Sequence, residues 1–205
     1  MGLISLLSSS PLAFVLLAAV LLYSVIAHEV AHGWVAYLFG DGTAKYAGRL
    51  TLNPGEHLDP IGTAALLLVG FGWAKPVPVN YNNLRPLRLG LFCVALAGVF
   101  TNIVIATIAL FAVQFVNASS ILSVVLTLLA RVNIVLGAFN LIPIPPLDGS
   151  KVLMALLPPE GQEVFGRFES FGFIVLVILL FTGILNPVIL FVQNLILSFV
   201  GLFVR

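Results

Sequence analysis

Five residues near the start of the chain, His28-Glu29-Val30-Ala31-His32, carry its most reactive side chains. On a helix, histidines at i and i+4 share one face and bring their rings close enough to grip a single ion. Zinc takes imidazole nitrogen at ~2.0–2.1 Å and, in catalytic sites, keeps a position for water. A glutamate beside the first histidine is placed to take a proton from that water, whose pKa the ion lowers towards ~7. The residue types therefore point to metal-assisted hydrolysis. The setting supports this, because the motif lies inside an apolar run. Each ionisable side chain there costs about 2.5–3.5 kcal/mol on insertion scales. Three of them within five positions need compensation, and a divalent cation supplies it.

A third protein ligand is needed. Of the eight acidic residues, only Glu29 and Asp148 lie at or against an apolar run and away from polar loops. Asp148 closes the stretch Asn140-Leu141-Ile142-Pro143-Ile144-Pro145-Pro146-Leu147-Asp148-Gly149. The remaining histidine, His57, falls in the charged loop Glu56-His57-Leu58-Asp59 and reads as a solvated or locally hydrogen-bonded side chain. Asn102 and Asn140 each sit in an apolar helix, where either is a candidate to donate to a carbonyl oxygen as it becomes an oxyanion. Their alternative role is a bond between helices. The asparagines at 80, 82 and 83 read as turn chemistry, and Cys93, the single cysteine, as a buried, inert thiol.

The elements that position these groups belong in lipid. Hydrophobic residues make up 60% of the 205 and charged residues 8%, against about 25% charged in a soluble domain. Mean hydropathy is +1.17. The length suits a single unit over residues 1–205 with about five or six membrane segments. Apolar runs over 11–39, 87–116 and 121–142 are long enough to span, and residues 1–27 read as a retained span because a basic leader is missing. The run Ile61–Trp73 reaches only ~20 Å, short of a ~30 Å hydrocarbon core. Partial alternation over Lys45–Leu52 and the prolines of Lys75–Asn80 predict short edge strands, to which an unwound substrate could add as a further strand. The stretch from Phe171 to Arg205 fits either two spans or one span plus an interfacial segment.

A parity argument links the motifs. His28 and His32 lie towards the end of the first span and Asp148 lies just beyond the span ending at Ile142. If 61–73 crosses fully, Asp148 falls on the opposite face. If it dips in and returns, the groups meet. The dip also gathers Lys45, Arg49, Lys75, Arg85 and Arg88 on one side, which the positive-inside rule makes cytoplasmic.

H-E-x-x-H at 28–32 with N-x-x-P-x-x-x-x-D-G at 140–149 resembles the site-2 protease family of intramembrane zinc metalloproteases. Ala95-Leu96-Ala97-Gly98-Val99-Phe100-Thr101-Asn102 is similar to a motif of the family's third core span, with Val99 where the family usually has proline. Gly72–Val79 resembles a compact bacterial branch without PDZ or CBS domains. The resemblance implies one zinc per chain, held by His28, His32 and Asp148, with Glu29 as base. It implies an all-α polytopic bundle with a three-helix catalytic core, a re-entrant segment and short cytoplasmic-side β strands. The expected activity is hydrolysis of membrane-anchored or membrane-proximal polypeptides, in a multi-pass protein of the bacterial inner membrane whose site lies near the cytoplasmic face. Expected partners are membrane lipid and a single-span or membrane-proximal peptide, and a net charge of +1 predicts no nucleic acid. The competing reading is a non-catalytic zinc-binding membrane protein, a transporter or an inactive protease relic.

Overall fold

The computed structural model describes residues 4–69 and 72–204, and the described residues are helical with no strand among them. A short α1 (Ile4–Ser9) leads into α2 (Pro11–Leu38), which begins with proline at its first turn and spans ~42 Å. Gly40, at φ +101°, turns the chain out of α2 through a conformation that suits glycine. After α3 (Thr43–Tyr46) and α4 (Pro60–Val69) come two more long helices, α5 (Leu87–Val113) and α6 (Ile121–Asn140). Ser120 starts α6 by accepting the Ser123 N–H on its hydroxyl. The chain ends with α7 (Asp148–Leu156), α8 (Pro159–Phe181) and α9 (Asn186–Val200).

Three helices, α2, α5 and α6, are long and apolar enough to cross a membrane, or up to four spans if the last bent pair counts as one. The five or six membrane segments suggested by the length also counted the short run at 61–73 and the last apolar stretch, which are helical without forming a long straight span. The last apolar stretch is not two clean spans, because Ser170–Phe181 and α9 meet at 91° across a break that contains Gly183 at φ +74°. Small residues carry the packing: Ala106 and Ala109 of α5 meet Ala130, Ile134 and Ala138 of α6, and Ile196 and Val200 of α9 close the cluster. Such residues let helix backbones approach closely where lipid gives no hydrophobic drive to associate. Large apolar side chains including Phe100, Ile108 and Phe111 of α5 and Ile174, Ile178 and Phe181 of α8 point outward instead.

Helix α4 has 10 residues and covers ~15 Å. The chain then comes straight back. Lys75 donates its N–H to the His57 carbonyl at 2.8 Å. A Cβ on Gly62 would overlap the Trp73 carbonyl, and one on Gly72 would overlap the Gly62 carbonyl. The two ends of this excursion therefore lie side by side, and residues 70–71 between them lie outside the described residues.

The predicted strands at 45–52 and 75–80 do not form. Asp41, fully buried, accepts the Thr43 N–H at 3.2 Å and the Thr43 hydroxyl at 2.6 Å, which starts a helical turn that takes in Lys45. Gly48, at φ +68°, then reverses the chain. Residues 75–80 have no ladder to offer. Lys75, Val77 and Asn80 donate their N–H groups to the His57 carbonyl, Glu29 and Asp41, and Pro76 and Pro78 have none. Strand pairing depends on such distant partners, which local alternation does not reveal.

Candidate metal centre

His28 and His32 are buried on the inward face of α2, and Asp148 is the first residue of α7. Gly149 makes the approach possible, since a Cβ there would lie 2.6 Å from the Ile142 carbonyl oxygen. The start of α7 thus packs onto the end of α6 and turns the Asp148 carboxylate towards α2. His28 Nε2 lies 2.9 Å and His32 Nε2 3.2 Å from Asp148 Oδ2, and the two Nε2 atoms are 3.1 Å apart.

The protons of both rings lie on the far side. His32 Nδ1 is 2.7 Å from the Val94 carbonyl, which can only accept, so Nδ1 carries the hydrogen. His28 Nδ1 donates to Asn102 Oδ1 at 2.6 Å. In the neutral rings each Nε2 then presents a lone pair. Asp148 Oδ2 is buried with no hydrogen-bond partner. Three electron-pair donors converge with no proton to share, which is costly unless a cation sits among them. A tetrahedral zinc with bonds of ~2.0–2.1 Å separates its ligand atoms by about 3.3 Å, close to the three distances here. The donor set fits the ion.

Glu29 does not join this triangle. Its Oε2 accepts the Val77 N–H at 2.9 Å, which ties it to the extended segment returning from the α4 hairpin. That segment can approach α2 because position 33 is glycine: a Cβ there would lie 2.8 Å from Val77 Cγ1. Glu29 and His28 both line a cavity of about 700 Å³ whose other walls include Trp73, Asn140, Leu147 and Phe173. The Trp73 and Phe173 rings meet edge to face at 5.5 Å, joining the hairpin to α8.

The two candidate asparagines part company. Asn140 lines the cavity, half-buried, with its Nδ2 resting on the Leu136 carbonyl at 3.0 Å. Asn102 is fully buried behind His28, and its Nδ2 donates to Asn133 at 2.7 Å, so its amide is already committed on both sides. His57 is fully buried rather than solvated, and donates Nε2–H locally to the Thr51 carbonyl at 2.8 Å. Sequence reasoning overlooked Ser24 and Asn133, and it did not see what Gly98 and Val77 do. For Asn133 the signal was present, because it is a third asparagine in an apolar helix.

Comparison with known proteins agrees with this geometry. The model of peptidase family M50 matches residues 116–183, a stretch that includes Asp148. YwhC of Bacillus subtilis, provisionally named a zinc metalloprotease, is 42% identical over 175 residues, covering 81% of this chain and 80% of its own. The chain belongs to peptidase family M50. This is the site-2 protease family that the paired motifs resemble. Rip2 of Mycolicibacterium smegmatis, also provisionally named a zinc metalloprotease, is 31% identical over 183 residues, 84% of this chain and 69% of its own. Zinc metalloprotease MJ0392 of Methanocaldococcus jannaschii is 29% identical over 190 residues, covering 90% of this chain and 45% of its own. No solved structure matches this M50 chain closely. Zinc is the cofactor of the family, and His28, His32 and Asp148 form a group able to hold it.

Proposed function

We propose that this M50 chain is an intramembrane zinc endopeptidase that hydrolyses peptide bonds in membrane-anchored or membrane-proximal polypeptides. The observation that carries the reading is the convergence of three proton-free donor atoms, from α2 and α7, at the wall of a cavity that Glu29 also lines. In this reading His28, His32 and Asp148 are the zinc ligands. Bound there, zinc supplies a Lewis acid and lowers the pKa of a water towards ~7. Glu29, on the wall of the same cavity, would act as the base by accepting a proton on its carboxylate. Its tether to Val77 orients the carboxylate, and Oε1 has no partner among the described residues. Asn140 is placed on the cavity wall to donate to the substrate carbonyl oxygen once its amide turns off the Leu136 carbonyl. Substrate is an extended peptide segment lying in the cavity between α2, the hairpin, α6 and α8, with membrane lipid around the outward apolar faces.

The hairpin over 57–75 is re-entrant in this reading, because its ends are hydrogen-bonded to each other and α4 is too short to cross. Lys45, Arg49, Lys75, Arg85 and Arg88 then share one end of the bundle. There Arg49 Nη2 holds the Lys75 carbonyl at 2.7 Å, and the Arg85 N–H meets the Phe39 carbonyl at 2.8 Å. By the positive-inside rule that end is cytoplasmic, in the inner membrane of a bacterial cell. A zinc-binding transporter or an inactive relic would give the unliganded Glu29 no task. Glu29→Gln decides between them: the protein should keep its zinc and lose cleavage of single-span peptides. Cleavage by the Gln variant at the wild-type rate would remove Glu29 from the base role.

A further inference from the structure

The polar groups behind the metal centre form a closed loop through three apolar helices. His28 Nδ1–H of α2 donates to Asn102 Oδ1 of α5 at 2.6 Å, and Asn102 Nδ2 donates to Asn133 Oδ1 of α6 at 2.7 Å. Asn133 Nδ2 donates to the Leu129 carbonyl and to Ser24 Oγ, each at 2.8 Å. Ser24 lies one turn before His28, so the loop returns to α2. Ser24, Asn102 and Asn133 are each no more than 1% exposed.

The direction of this loop is not free. The Leu129 carbonyl can only accept, so it fixes which end of the Asn133 amide is nitrogen. Asn133 Oδ1 must then face Asn102 Nδ2, which turns Asn102 Oδ1 to His28, and an oxygen there requires a proton on Nδ1. The Nε2 lone pair of His28 is thus set by a backbone carbonyl on another helix. Gly98, one turn before Asn102 on α5, provides the room, because a Cβ at Gly98 would lie 2.6 Å from His28 Nδ1, inside the ring's van der Waals envelope. With glycine there the ring can stand against α5 and reach the asparagine.

We infer that Asn133 and Asn102, anchored by the Leu129 carbonyl and Ser24, are positioning residues that hold His28 in the one tautomer able to bind the metal. The inference rests on the zinc reading above and adds residues that touch neither ion nor substrate. Orienting partners of this kind typically contribute 10–100-fold to metal affinity.

The test is zinc affinity by chelator competition on the full-length protein in detergent, with the thermal stability of the metal-free protein measured alongside. Asn102→Leu removes the acceptor and should weaken zinc binding ~10–100-fold. Asn102→Asp presents an acceptor to His28 whichever way it turns, at the cost of an oxygen facing Asn133 Oδ1, and should bind zinc more tightly than Asn102→Leu. Asn133→Leu should weaken binding about tenfold in the Asn102 protein, where the amide is freed to flip, and cause no loss in Asn102→Asp, where no flip exists. A residue that only packs helices together would not produce that dependence on background. Equal losses from Asn133→Leu in both backgrounds, or affinities that follow apo stability and ignore the acceptor, would overturn the inference. If Asn102→Leu does not fold, the two Asn133→Leu measurements decide the matter. Wild-type protein that binds no zinc would instead sink the metal reading itself, a result distinct from an unaffected variant.

Discussion

Glu29 is held by a backbone N–H, and this permits a test that leaves its side chain untouched. Val77 lies between Pro76 and Pro78, and its amide is 2.9 Å from Glu29 Oε2. Val77→Pro removes that donor in a segment already shaped by prolines. A hydrogen bond to a charged group contributes about 1.5–3 kcal/mol. If the bond holds the base in its working orientation, losing it lowers kcat by about 10–150-fold. Because Val77 is not one of the ligands, zinc content should stay at the wild-type level. Val77→Ala is the control: it keeps the N–H and gives up side-chain packing, including that against Gly33, so kcat should stay within about threefold. The assay is cleavage of a single-span peptide in proteoliposomes, with kcat and KM determined separately and zinc measured on the same samples. A proline variant with unchanged kcat, or an alanine variant that loses as much as the proline, would show that the tether does not orient the base.

Other consequences can be checked more briefly. Gly98→Ala drives a methyl into the His28 ring; overpacking costs about 1–3 kcal/mol, and since the ring is a ligand the cost should appear as zinc affinity lowered ~5–150-fold in chelator competition. Asn140→Leu should reduce kcat by about 10²–10³ with zinc retained, the loss expected for one oxyanion donor; a change confined to KM would place it in substrate binding only. Asp41 accepts hydrogen bonds from Thr43, Asn80 and Asn83, which outweigh its burial and hold its carboxyl below the ordinary carboxylate range. Its contribution is therefore complete above the unfolded value of ~3.9 and is lost as pH falls through the lower folded value. Asp41→Asn should destabilise by about 1–3 kcal/mol at pH 6 in thermal melts, with the gap to wild type closing as pH drops below ~4.

Much of this arrangement was legible in the residues themselves. The apolar runs at 11–39, 87–116 and 121–142 became α2, α5 and α6, because in lipid a backbone can satisfy itself only within a helix or closed barrel. The ionisable residues of His28–His32 and Asp148 stood out against that background, and parity required the short run at 61–73 to turn back. The structure shows that excursion starting and ending at hydrogen-bonded residues. What local pattern could not show was pairing. The segments at 45–52 and 75–80 carry strand-like composition, but Lys45 is drawn into the helical turn that starts at Thr43, and Glu29 and Asp41 capture the Val77 and Asn80 N–H groups across the fold. His57 looked like a solvated or locally hydrogen-bonded loop residue because its neighbours are charged; it is buried, and the local bond is the one from Nε2 to the Thr51 carbonyl. Asn133 carried the same mark as Asn102, an amide in an apolar helix, but its partner Ser24 lies 109 residues away.

The central claim is that His28, His32 and Asp148 share one zinc ion, and X-ray absorption at the zinc edge of the purified protein tests it most directly. The account predicts one zinc per chain in a shell of nitrogen and oxygen at ~2.0–2.2 Å, two of them imidazole, with binding lost or greatly weakened in Asp148→Ala. A shell containing sulfur at ~2.3 Å, or a zinc site that is the same with and without the Asp148 carboxylate, would contradict it.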